Sequence, residues 1–144
     1  MQRLHASCVA FGNAGVLLLG GSGAGKSDLA LRAIDAGAML VADDQVELRR
    51  VGAELIASVP KALAGLIEVR GVGIVRLPFR AEAKLRLAVE LLPPERISRL
   101  PEHAQREYLG VALPLSRLAP FEVSAVVKLR LAVRLATGHI MPAP

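Results

Sequence analysis

A chain of 144 residues that is 53% hydrophobic but only 3% aromatic is long enough for one aliphatic core and too apolar to remain disordered. Its single cysteine, Cys8, excludes an internal disulfide, and no apolar run reaches the roughly 18–20 residues that cross a bilayer. The net charge of +5 is spread without a dense run or interleaved aromatics, which suits an anionic nucleotide or acidic partner better than nucleic acid.

In chain order, residues 3–11 alternate loosely and read as a strand, with His5 near its start. Alone, such a histidine is more often structural than catalytic. Gly12-Asn13-Ala14-Gly15 is turn chemistry, so residues 3–11 and 15–19 are expected to form a hairpin. Next comes Gly20-Gly21-Ser22-Gly23-Ala24-Gly25-Lys26-Ser27, which fits the phosphate-binding pattern G-x-x-x-x-G-K-[ST] at every fixed position. Glycines let backbone N–H groups close round an anion, Lys26 supplies a point charge for β- and γ-phosphates, and the Ser27 hydroxyl suits magnesium. The apolar strand before it and a helix over 28–37 after it are the context such a loop requires, with the anion at the positive helix end.

Gly37 stops that helix, and Ala38–Asp44 reads as an apolar strand ending in two carboxylates. Strand, helix and strand form a right-handed crossover that sets the second strand parallel to the first, bringing Asp43 and Asp44 to the edge that carries the loop. One carboxylate there is placed to hold magnesium and the other to accept a proton from an attacking hydroxyl. Residues 46–51 and 54–59 read as a second hairpin, ended by Pro60. In the apolar stretch 63–75, Glu68 and Arg70 are expected to be buried, and therefore paired or used, with Gly71 and Gly73 allowing close approach. Residues 76–84 read as a polar connection and 85–92 as a strand broken by Pro93-Pro94. Residues 95–121 read as irregular, with a short strand at 109–115, and 122–137 as an amphipathic helix closed by Gly138. The whole reads as one domain, 1–144.

Four features stand together: His5, the loop Gly20–Ser27, Val41-Ala42-Asp43-Asp44, and Leu66-Ile67-Glu68-Val69-Arg70-Gly71-Val72-Gly73. The combination strongly resembles the catalytic domain of bacterial HPr kinase/phosphorylase over nearly the whole chain, in its short single-domain proteobacterial form. The resemblance implies an α/β fold of P-loop type, related to the nucleotide-binding domain of phosphoenolpyruvate carboxykinase. A mixed β-sheet would carry the Walker A loop between a strand and a helix, with a helix at the C-terminus. It implies an ATP- and Mg2+-dependent protein serine kinase acting on HPr, a phosphocarrier of the sugar phosphotransferase system. It also implies a homo-oligomer, usually a hexamer, and a cytoplasmic location.

Carried over by position, Gly20 to Ser27 would bind the nucleotide and Asp44 would take the proton of the target serine. Ser27, Asp43 and Glu68 would serve the metal, while Lys26, His5 and Arg70 would join catalysis. Two departures stand out. Tyr108 occupies the position of the family's active-site arginine, with Arg106 two residues away. The arginine-bearing loop tied to dephosphorylation is not recognisable in Pro114–Pro120, so kinase activity is better supported than phosphorylase activity. A small-molecule kinase of the same loop class and a non-catalytic nucleotide-binding regulator are the alternatives.

Overall fold

The fold is organised by a strand with no solvent-facing side. In the computed structural model, which describes residues 1–144, strand β3 (Ala14–Leu19) is buried at all six positions. Such a strand must have sheet neighbours on both edges and packed layers on both faces. Its partners are β2 (Ser7–Phe11), antiparallel, and the ten-residue β9 (Glu82–Leu91), parallel. Around this pair the sheet continues through β1 (Gln2–His5), β4 (Met39–Ala42), β5 (Gln45–Val51) and β6 (Glu54–Ser58), in the order β1-β5-β6-β9-β3-β2-β4. The hairpin of β10 (Gln105–Tyr108) and β11 (Val111–Leu118) joins through a parallel pairing of β11 with β9.

Period-two alternation sends β3 and β9 side chains into two cores. On one face Val16, Leu18, Leu87 and Val89 meet Leu29 and Ala33 of helix α1 (Lys26–Asp35) and Leu129 and Val133 of helix α2 (Ala125–Ala136). On the other, Leu17, Leu19 and Ala88 meet Leu48, Leu55, Leu113 and Leu115, where the sheet curls back over itself. The result is a mixed α/β fold with a curled mixed sheet and a C-terminal helix. No helix is long and apolar enough to cross a membrane.

Several expectations change. The first strand breaks at Ala6, whose N–H is donated 3.1 Å to the Asp44 carbonyl, so β1 leaves the β2–β3 hairpin and pairs with β5. The crossover through α1 does bring β4 parallel to β3 in direction, but β2 lies between them. Glu68 and Arg70 are exposed rather than buried. They belong to a separate two-stranded ribbon of β7 (Leu66–Val69) and β8 (Gly73–Arg76), where only Ile67 turns fully inward. A ribbon with a single covered face leaves alternate side chains in water. Gly71 and Gly73 supply left-handed backbone (φ 87° and 118°) at its turn, and no atom lies within 4 Å of where a Cβ would stand. Residues 95–121, read as irregular, contain the β10–β11 hairpin. Pro114 does not prevent it because β11 pairs with β9 only from Leu115 onward.

Leu129 and Leu131 separate the two sides of α2, being 0% and 42% exposed. Leu129→Ala is expected to cost about 2–5 kcal/mol in urea denaturation, whereas Leu131→Ala should stay within about 1 kcal/mol of the parent. Burial pushes the Cys8 thiol up to about 12, so it should resist alkylation at pH 8 until the protein unfolds.

Candidate functional site

The site is built where β3 ends and α1 begins. Gly25, immediately before the helix, has φ 102°, which a side chain would resist, and its carbonyl accepts the Leu29 N–H at 2.9 Å. A Cβ at this position would also stand 2.8 Å from the Phe121 ring and 3.1 Å from Pro120. No side chain caps the helix start, so its first N–H groups remain available to an anion at the positive end of the helix dipole. Lys26 is only 7% exposed, and its ammonium donates to the carbonyls of Gly20 (2.6 Å) and Gly21 (3.0 Å). A buried ammonium needs acceptors, and here the loop supplies them.

The carboxylates that end β4 divide by environment. Asp43 is buried, and its Oδ1 accepts hydrogen bonds from Ser27 (2.7 Å) and Ser7 (2.8 Å). Asp44 turns into the left-handed region (φ 70°), an uncommon conformation that aspartate tolerates better than most residues. The turn exposes its side chain, where Oδ1 lies 3.1 Å from His5 Nδ1. One carboxylate is therefore sequestered beside the glycine-rich loop, while its neighbour is free to meet a partner from solvent.

Ser27 is thus bonded to Asp43 and His5 lies beside Asp44, while Lys26, next to Ser27 in the chain, is held by the loop carbonyls. Glu68 and Arg70 are not among them: both lie on the β7–β8 ribbon, which packs against α1, and neither side chain makes a hydrogen bond or ion pair. No group of three or more His, Cys, Asp and Glu side chains converges anywhere in the chain. Magnesium does not demand one, because it takes one or two carboxylates together with phosphate oxygens and water. The Ser27 hydroxyl and Asp43 carboxylate, hard oxygen donors within a hydrogen bond of each other, fit that requirement.

Three features escaped the sequence reading. Ser7 lies within an apolar run and is completely buried; its being the only polar residue between Ala6 and Ala10 was the available signal. Glu90, near the carboxyl end of β9 and in register with Leu19, gathers Arg117 (3.0 Å) and Arg106 (3.5 Å) beside the loop. The third is an apolar cleft of about 490 Å³ between Ser22–Ala24, Leu91–Pro94 and Ala119–Glu122. Arg32 of α1 fastens its far wall by donating to the Pro120 carbonyl.

Fold and site together define a mixed α/β domain with a glycine-rich loop between strand and helix at the carboxyl edge of its sheet. The chain belongs to the family described as the HPr Serine kinase C-terminal domain, whose model matches residues 1–120. It is 38% identical over 126 residues to an HPr kinase/phosphorylase of Burkholderia lata, covering 80% of this chain and 38% of that protein. It is 45% identical over 76 residues to an HPr kinase/phosphorylase of Clostridium tetani, covering 53% and 25%. A solved structure titled as the Hpr(Ser) kinase/phosphatase from Coxiella burnetii superposes with a TM-score of 0.80 at 27% identity, covering 96% of each chain. The chain therefore aligns with well under half the length of these curated relatives but with nearly all of that solved chain.

The Asp43 arrangement predicts a specific cost. Ser7→Ala removes one of two donors to a buried carboxylate and should lower stability by about 1–3 kcal/mol, measured by chemical denaturation above pH 6. An unchanged midpoint would show that Ser7 does not support Asp43.

Proposed function

We propose that the chain is the catalytic part of an ATP- and magnesium-dependent protein serine kinase. Its substrate would be an HPr-like phosphocarrier of the phosphotransferase system, linking it to the regulation of carbon metabolism. One observation carries the reading: in a member of the HPr kinase family, the hydroxyl after the loop lysine is hydrogen-bonded at 2.7 Å to a strand-end aspartate. Phosphoryl-transfer enzymes with this kind of loop hold magnesium between such a hydroxyl and such a carboxylate. The same likeness supports a P-loop fold related to that of phosphoenolpyruvate carboxykinase, a single domain over 1–144, homo-oligomeric assembly and a cytoplasmic location.

The roles follow from the chemistry of each group. Gly20 to Ser27 enclose the phosphates with backbone N–H groups, and Lys26 exchanges its two loop carbonyls for phosphate oxygens. Ser27 and Asp43 would hold the metal, and by the family resemblance Glu68 would join them. Bound magnesium supplies charge neutralisation on the phosphate oxygens. Asp44 accepts the proton of the attacking serine hydroxyl, and His5 at 3.1 Å orients it. Arg70 acts with the β7–β8 ribbon. The cleft beside Ser22–Ala24 is large and apolar enough to take the nucleotide's base.

Incubation with labelled ATP and HPr from the same cell should label a serine of HPr. Asp44→Asn should lower the rate by about 10²–10⁴-fold with ATP binding retained. Lys26→Ala should weaken ATP binding itself. Tight ATP binding without transfer to any phosphocarrier would overturn the kinase reading and leave a nucleotide-binding regulator.

A further inference from the structure

A second cavity, this one basic, lies at the opposite end of the sheet from the apolar cleft. It has a volume of about 370 Å³, and its lining includes Arg86, Arg130, Arg134, Thr137 and His139 with the Phe11–Ala14 turn. Strand β3 runs from Ala14 at this cavity to Leu19 at the glycine-rich loop, a separation of about 16 Å for five extended steps. No carboxylate lines the cavity. Arg130, Arg134 and His139 lie beyond the residues matched by the family model, which end at 120.

Two of the three guanidinium groups have no structural task. Arg130 donates at 2.6 Å to the Ala36 carbonyl at the end of α1 and lies over the Phe11 ring. Arg86 and Arg134 make neither a side-chain hydrogen bond nor an ion pair. Arginines near a helix C-terminus often satisfy its last carbonyls. Here those carbonyls are already taken: Val133 O by the Thr137 N–H and hydroxyl, and Arg134 O by the His139 and Ile140 N–H groups. Arg130 and Arg134 are also four residues apart on one helix face, a like-charge pair that weakens a helix.

Arg86 reaches the cavity through a defect in the sheet. Gly15 pairs with Leu85 but Val16 pairs with Leu87, so Arg86 is the extra residue of a β-bulge. Bulges re-aim side chains. Gly15 permits this one, because a Cβ there would stand 2.8 Å from the Lys84 carbonyl. Uncompensated arginines aimed by a bulge and a helix into one recess match the oxygens of a tetrahedral oxyanion, which guanidinium forks bind bidentately.

We propose that this cavity is a binding site for a phosphate group, carried by inorganic phosphate or a small phosphomonoester, with Arg86 and Arg134 as its clamp. The site is separate from the glycine-rich loop and does not depend on the kinase reading. Titrating inorganic phosphate into the full chain, followed by backbone and arginine Nε–H NMR, should move Gly12, Arg86, Thr137 and His139 as one group. Gly20–Ser27 should move as another. In the Arg86→Gln/Arg134→Gln double variant the first group should lose at least about 10-fold in affinity while the second is unchanged. Both arginines are exposed, and the wild-type titration stands alone should the variant fold poorly.

Glycerol 3-phosphate and vesicles containing phosphatidic acid distinguish the source of the group. Binding of the free ester without sedimentation on vesicles supports a soluble ligand. Sedimentation lost in the double variant supports the same chemistry on a lipid headgroup. Absence of any shift at Arg86, Thr137 and His139 up to tens of millimolar phosphate, or shifts unaltered in the double variant, would overturn the proposal.

Discussion

A carboxylate withdrawn from water must find donors, and the position of nearly every group at the candidate site follows from how Asp43 finds them. Ser27 reaches it from the start of α1 and Ser7 from the start of β2. An unpaired buried charge costs several kcal/mol, so helix, strand and strand end are held in one relation. Ser27 directly follows Lys26, so anchoring it also sets the glycine-rich loop against the end of β4. The left-handed turn at Asp44 then carries the second carboxylate outward to His5.

The scaffold behind this arrangement is the pair β3–β9. With both faces of β3 covered, a shift of register by one residue would exchange the contents of the two cores, so the pairing is strongly specified. The carboxyl end of β9 brings Glu90 and its two arginines beside the loop. The amino-terminal half contains the bulge that turns Arg86 toward α2. One strand therefore supports two recesses of different chemistry, one apolar and one basic, about a strand's length apart.

The matched family residues end at Pro120, which closes the wall of the apolar cleft and receives the Arg32 hydrogen bond. Helix α2 lies beyond that point, yet Leu129 and Val133 fill the core against β9. Its packing belongs to the fold as firmly as that of α1, while its basic C-terminal side contributes to the second cavity.

The amino-acid sequence alone determined the glycine-rich loop with its strand and helix, the two aspartates one crossover later, the hairpin of 46–51 with 54–59 to within a residue at its ends, and the C-terminal helix. These depend on local chemistry: glycine conformations, hydrophobic period and helix stops operate within a few residues of each other. The resemblance in the sequence also pointed to the family. Tertiary structure alone decided that Ser7 supports Asp43, that Arg106 and Arg117 converge on Glu90, and that the chain breaks at Ala6. It also left Glu68 and Arg70 in water, because the face that a ribbon buries is set by its neighbours rather than by its own alternation. Pairings separated by tens of residues leave no periodic trace in the chain. They arise only when the sheet curls and a buried polar group must find a partner wherever the fold brings one.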